Sequence, residues 1–163
     1  MTSSISLAAR PKTEDDLVLR RQALMALLAD ATKDEICQIL SDIGADALAA
    51  AAVDLRRPES GLVMLRGRAG GDGRAFNLGE ATVTRAAIRL PDGRTGFAYQ
   101  LGRDSEKARI SAILDALCQG DEHAAVERAA APVRQRIADE AEIKARRVAA
   151  TKGDFFTMVR GAD

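Results

Sequence analysis

Residues 80–101 read EATVTRAAIRLPDGRTGFAYQL. Two runs of β-forming residues, 80–90 and 94–101, flank the tripeptide Pro91-Asp92-Gly93. Proline fixes φ at one turn position and glycine accepts a positive φ at another, so this stretch predicts a β-hairpin. A connection this short cannot link parallel strands, and the sheet that contains it is therefore predicted to be antiparallel.

Further short β-type runs lie upstream of this hairpin. Residues 58–61 (PESG) separate a run at 53–57 from one at 62–68, and the glycine-rich residues 70–73 separate the latter from 74–78. Counted with the hairpin, these runs predict an antiparallel meander of about four or five strands.

A helix is predicted near the N-terminus of the chain. Thr13 is a suitable N-cap, the helix ends near Asp30, and Arg20 and Arg21 are expected to face water. Its apolar positions recur at helical spacing: Leu17, Leu24, Leu27 and Leu28.

A second helix has clearer boundary signals. Thr32 followed by Glu35 forms a capping box, and Gly44 supplies a C-terminal stop. With the first helix it predicts a helical hairpin. Residues 46–52 are compatible with either a helix or a strand.

Helices are also predicted after the sheet. Asp104 or Ser105 can cap a helix that packs on the sheet and ends at Gly120. Pro132 suits the first turn of a further long helix, which Gly153 is expected to stop.

A chain of 163 residues is long enough for one domain with its own core. We predict an α+β fold, with an antiparallel sheet of about four or five strands, an N-terminal helical hairpin and C-terminal helices packed on it. Residues 1–12 lack a periodic pattern and are predicted to be a disordered leader. Residues 13–153 are predicted to form the domain, and residues 154–163 a docking tail.

Composition argues against several classes of function. Lys+Arg and Asp+Glu both number 24, so no net field attracts nucleic acid or an anionic membrane. No apolar run approaches the length of a membrane span, and no signal-peptide layout begins the sequence, which predicts a cytoplasmic protein. Cys37 and Cys118 are predicted to be buried thiols and His123 a solvated residue, so we expect no catalytic triad, metal centre or cofactor.

Residues 67–73 (GRAGGDG) resemble a phosphate-binding loop in composition. They lack the Walker spacing and do not lie between a strand and a helix. A hairpin loop is therefore the favoured interpretation.

Three arginines are candidate ligand-binding residues. Strand alternation puts Arg85 and Arg89 on one face, where their planar guanidinium groups suit a phosphate or a partner's carboxylates. A solvated face with cross-strand ion pairs explains them equally well. Arg103, immediately before Asp104, either binds an anion at a helix start or belongs to a cap, and the cap is favoured.

The C-terminal residues 154–161 read DFFTMVRG. Phe155, Phe156 and Met158 lie in a segment too short to form its own core. We expect these residues, together with Arg160, either to pack back on the domain or to enter a groove on a partner.

A series of motifs resembles the PhnG subunits of the bacterial carbon–phosphorus lyase system, which breaks down phosphonates. The motifs are ESGLV at 59–63, the loop at 68–73, GEAT at 79–82, TRAA at 84–87, DG at 92–93, GRD at 102–104, DAL at 115–117 and the tail at 154–161. The tail is the most specific of them, and the resemblance covers residues 17–163. Where relatives are expected to have His-Ala-Glu, this chain has Lys107-Ala108-Arg109, which argues against a general acid or base on that helix.

The resemblance implies a subunit of α-D-ribose 1-methylphosphonate 5-triphosphate synthase, in which methylphosphonate displaces adenine from the ribose of ATP. It implies PhnI as the nucleosidase-like catalyst and direct partner, PhnH and PhnJ as further core subunits, PhnL as a required companion, and iron–sulfur radical chemistry in PhnJ alone. This chain would be a non-catalytic or co-catalytic subunit that is not catalytic alone. The three arginines would contact the triphosphate or an acidic partner surface, and the tail would anchor in a neighbouring subunit. A stand-alone nucleotide- or RNA-binding module is the alternative, but its basic, aromatic-rich composition is missing.

Overall fold

The computed structural model describes residues 14–69 and 73–159, the stretch 151–159 by its backbone alone. The elements in chain order are α1 (Glu14–Asp30), α2 (Lys33–Asp42), α3 (Asp46–Ala51), β1 (Val53–Arg68), β2 (Ala75–Arg89), β3 (Thr95–Leu101), α4 (Ser105–Leu117) and α5 (His123–Val159). The strands form one antiparallel sheet in the order β1-β2-β3. The predicted α+β class and antiparallel sheet are confirmed.

The hairpin that joins β2 to β3 is the one predicted from Pro91-Asp92-Gly93. Its register runs from Arg89 opposite Thr95 to Val83 opposite Leu101. Gly93 has a φ of +93°, and its N–H donates to the carbonyl of Leu90 at 3.0 Å. The left-handed conformation explains the glycine at this position.

The sheet has three strands, fewer than the predicted four or five. Residues 58–61 do not form a turn, because β1 runs through them with register shifts between Asp54 and Arg56 and between Arg56 and Glu59. Pro58 is tolerated because β1 is an edge strand that bulges here. A further register shift at residues 77–79 lets β2 continue through Gly79, whose φ is +151°.

The N-terminal helices follow the predicted signals. Thr32 and Glu35 form the capping box at the start of α2. At its end, the N–H groups of Gly44 and Ala45 donate to the carbonyls of Ser41 and Leu40, which is a Schellman motif. Residues 46–51, whose sequence is compatible with either a helix or a strand, form α3.

The core lies between α4 and one face of the sheet. Ala98 on β3 is fully buried, and Gln100 donates from Nε2 to Ser111 Oγ at 2.9 Å. Gly96 lets the two backbones meet, since a Cβ there would lie 1.9 Å from the carbonyl oxygen of Ala112. Every buried hydrophobic side chain in the described part is aliphatic or a cysteine.

The C-terminal helix differs from the prediction. One helix, α5, runs from His123 to Val159, so Pro132 lies inside it rather than in a first turn, and Gly153 does not end it. The predicted leader, residues 1–12, lies outside the described residues, and the predicted domain boundaries stay predictions. No helix in the described ranges is both long and apolar enough to span a membrane.

Candidate functional site

A buried carboxylate, Asp115 on α4, joins three elements. Arg21 on α1 donates to both of its oxygens, at 2.9 and 2.8 Å, and the backbone N–H of Phe97 on β3 donates to it at 2.9 Å. The hydrogen bonds to Asp115 raise the pKa of Arg21 above its ordinary value. The prediction that Arg21 faces water is therefore wrong, because its side chain binds Asp115, which lies 94 positions away in the sequence.

A shallow cavity of about 350 Å³ lies beside this ion pair. It is lined by Val18, Arg21, Gln22, Met25, Phe97 and Asp115. Because Arg21 and Asp115 already satisfy each other, the cavity offers apolar walls rather than a reactive group. This arrangement suits structural packing better than catalysis.

Arg94 forms a second network, at the C-terminal end of α4. It donates from Nε to Asp92 at 2.6 Å and from both terminal nitrogens to Glu122, at 2.7 and 3.1 Å. It also donates to the carbonyls of Ala116 and Leu117 in the last turn of α4, which accept from the backbone N–H groups of Gln119 and Gly120 as well. The hydrogen bonds from Arg94 hold the pKa values of Asp92 and Glu122 below their ordinary values.

A third arginine, Arg109, performs a similar structural role. Its Nε donates to Asp54 at 2.8 Å, and its Nη2 donates to the carbonyl of Ala52 at 3.1 Å, just after α3. Arg109 therefore ties α3 and β1 to α4. It thus has a structural role, on the helix where the sequence argues against a general acid or base.

The thiols and the histidine do not form a reactive site. Cys118 is buried, as predicted, and Cys37 is half-buried. The Sγ atom of Cys118 lies 3.1 Å from Nδ1 of His123, so the interpretation of His123 as a solvated residue is wrong. Burial raises the pKa of Cys118 to about 11, which keeps the thiol protonated and poorly nucleophilic at neutral pH. Among the side chains that the structure describes, no three His, Cys, Asp or Glu residues are placed to hold a metal ion.

The predicted arginines occupy two places. Arg85 and Arg89 lie on the same face of β2, where Arg85 stands opposite Tyr99 of β3. Arg85 donates to Glu59 at 2.8 Å, while its buried Nε has no acceptor in the described part of the chain. Arg89 is exposed.

Arg103 lies apart from this pair, in the exposed turn that precedes α4. The neighbouring Asp104 accepts from the N–H of Lys107 at 2.8 Å, so it caps α4 as predicted. A carboxylate at that position disfavours an anion at the start of α4, and Arg103 beside it is exposed.

Comparison with known proteins decides the family. A family model described as "Phosphonate metabolism protein PhnG" matches residues 19–161. The chain belongs to the PhnG family. A curated relative from Rhizobium meliloti (strain 1021), "Alpha-D-ribose 1-methylphosphonate 5-triphosphate synthase subunit PhnG", is 49% identical over 154 residues, covering 93% of this chain and 97% of the relative. The resemblance seen in the motifs is confirmed.

The PhnG match includes the C-terminal residues proposed to dock. Phe155, Phe156 and Met158 fall within the backbone of α5, and their side chains lie outside the described ones. Arg160 lies outside the described residues altogether. The predicted tail contacts therefore stay predictions.

Proposed function

We propose that this chain is the PhnG subunit of an α-D-ribose 1-methylphosphonate 5-triphosphate synthase. The observation that carries the proposal is the 49% identity, over nearly the whole of both chains, to a protein named as that subunit. The reaction would join methylphosphonate to the ribose of ATP with release of adenine. The chain would support it as part of a complex of several subunits.

The chemistry of the described side chains is consistent with a supporting role. The buried Asp115 is satisfied by Arg21 and Phe97, and the Cys118 thiol is kept protonated. A catalyst needs a nucleophile or a proton-transfer group that is free to meet substrate. We therefore place the bond-making groups on another subunit, with PhnI as the direct partner and PhnH and PhnJ in the same assembly.

The C-terminal residues Phe155, Phe156, Met158 and Arg160 would anchor this chain in its neighbour. Replacing Phe155 and Phe156 together with alanine should abolish co-purification with the other subunits and, with it, adenine release, because large aromatic side chains dominate interface energies. The measurement is affinity co-purification of the co-expressed subunits, followed by an assay of adenine released from ATP and methylphosphonate.

A matched control removes two exposed apolar side chains from the same helix, Ile143 and Val148, by Ile143→Ala and Val148→Ala. This control should assemble normally, and both variants should show the thermal unfolding curve of the isolated wild-type chain. Normal assembly of the Phe155→Ala/Phe156→Ala variant would show that the tail is not the anchor.

Arg85, Arg89 and Arg103 would supply positive charge to the assembled complex, either to the triphosphate or to an acidic partner surface. Arg89→Ala and Arg103→Ala test the two exposed members. Loss of a charge-assisted hydrogen bond worth about 1.5–3 kcal/mol should lower adenine release about tenfold or more.

Measuring assembly and adenine release separately distinguishes contact with the triphosphate from contact with a partner surface. A fall in adenine release from a fully assembled complex assigns the arginine to the triphosphate, and a fall in assembly assigns it to the partner surface. Arg146→Ala, which removes an exposed arginine from α5, is the control. Unchanged assembly and activity in both test variants would show that Arg89 and Arg103 do not belong to the site.

A further inference from the structure

The face of the sheet opposite α4 carries large apolar side chains in the open. Gly96, Ala98 and Gln100 of β3 meet α4, so alternation turns the residues between and after them to the other side. The register with β1 and β2 extends that side along the sheet, which we call the open face. Its large apolar members include Leu65, Phe76, Leu78, Phe97, Tyr99 and Leu101.

These large apolar side chains are strongly exposed, although a sheet face that stays in water has no need of apolar side chains. Leu101 is 73% exposed, Leu78 63% and Tyr99 58%. The whole chain has four Phe, one Tyr and no Trp, and three of those five aromatic residues lie on the open face. Aromatic side chains that are kept out of a core and gathered on one surface are typical of an interface.

The far end of the β1–β2 hairpin strengthens this interpretation. Beyond the part covered by α4, Leu62 and Met64 on the opposite side of β1 are also more than half exposed. This end of the hairpin, residues 62–69 and 73–80, therefore has exposed apolar side chains on both of its faces. A two-stranded hairpin of this kind is at best marginally stable in water, and it is stabilised when a partner covers it.

The charges near this surface define the partner. The described residues of this hairpin end include three arginines, Arg66, Arg68 and Arg74, against one acidic residue, Glu80, and Arg89 adds a cation on the open face itself. Arg66, Arg74 and Arg89 have no ion pair within the described part of the chain. A second copy would present the same arginines, so it does not complement the face. An apolar surface bordered by Asp and Glu side chains does.

We infer that the open face, together with the exposed end of the β1–β2 hairpin, docks on an apolar, acid-bordered surface of another subunit of the complex. The inference rests on the proposed function, since it takes the partner to be a subunit of the same synthase. It adds a docking surface separate in sequence from the C-terminal tail. The sheet thus presents one face to its own core and the other to a partner.

The test compares Tyr99→Ser/Leu101→Ser with Leu19→Ser/Val148→Ser. The control pair has similar exposure, 64% and 60%, but lies on helices. Binding of each full-length chain to the complex lacking this subunit is measured by titration. The open-face variant should bind at least about 30-fold more weakly, as expected when interface hot spots are truncated, and the control should bind like wild type.

A charge reversal, Arg66→Glu/Arg74→Glu, tests the acidic character of the partner. It should weaken binding, and the difference from wild type should shrink as salt is raised, because these side chains are exposed. Circular dichroism of each isolated variant establishes that it is folded.

The outcomes separate this inference from the proposed function. If the wild-type chain neither assembles with the other subunits nor supports adenine release, the proposed function fails and this inference fails with it. If the wild type assembles and the open-face variant binds equally well, only the inference is overturned. A wild-type homodimer that dissociates on Tyr99→Ser/Leu101→Ser would overturn it in favour of a second copy.

Discussion

Replacing Gly96 with alanine should lower the free energy of unfolding by about 3 kcal/mol, near the upper end for overpacking a core. The added methyl group would lie 1.9 Å from the carbonyl oxygen of Ala112 and 2.8 Å from the backbone nitrogen of Ala116. Both atoms belong to the backbone of α4, so no side chain can rotate away and the helix has to shift. For a chain of this size the midpoint of thermal unfolding should fall by about 6–12 °C.

Gly61→Ala is the matched control for this experiment. Gly61 also lies in a strand, but the nearest atom to its added methyl group would be Nη2 of Arg85, at 4.0 Å. We expect a change within about 0.5 kcal/mol, the usual range for surface substitutions. Thermal unfolding followed by circular dichroism measures both variants, and equal midpoints would mean that β3 and α4 do not pack backbone to backbone.

Replacing Asp115 with alanine should destabilise the chain by about 3–5 kcal/mol, the cost of removing one partner from a buried ion pair. The variant leaves the guanidinium of Arg21 and the N–H of Phe97 without their acceptor. Because Arg21 is about a third exposed and can turn to water, the lower end of that range is expected. Urea unfolding of the purified chain measures the difference.

One companion variant separates charge from hydrogen bonding at this position, and a second provides an exposed ion pair as the control. Asp115→Asn keeps an oxygen for the N–H of Phe97 and should cost less than alanine. Glu142→Ala removes the acceptor of the exposed pair with Arg146 and should cost about 0–1 kcal/mol. A loss no larger for Asp115→Ala than for Glu142→Ala would show that Asp115 does not join α1, α4 and β3.

The elements that sequence reasoning located correctly are those set by neighbouring residues. The capping box of Thr32 and Glu35 and the turn at Pro91-Asp92-Gly93 each need only a few consecutive positions. The predicted number of strands was too high because a proline or glycine within a β-type run can either end the strand or form a bulge in it. Pro58 and Gly79 break a strand when no neighbour holds the register, and they form bulges when β1 and β2 are long enough to pair on both sides.

Contacts between residues far apart in the sequence account for the other differences between the predictions and the structure. Nothing near Arg21 indicates that its partner is Asp115, although a carboxylate among apolar residues of a helix was a signal that a buried ion pair exists. The pairing of Arg85 and Arg89 on one face needed only strand alternation, so it was predictable. The partner that we infer for that face is determined by the surface of another protein, which this sequence does not encode.

The placement of aromatic residues also determines which spectroscopic signals the chain can give. The chain has no tryptophan, and Tyr99 is its one tyrosine. Tyr99, Phe76 and Phe97 are exposed, and none of the buried side chains that the structure describes is aromatic. The tyrosine fluorescence of this chain therefore reports on the environment of Tyr99 on the open face, so the same residue that we expect to bind a partner is also a built-in probe of that binding.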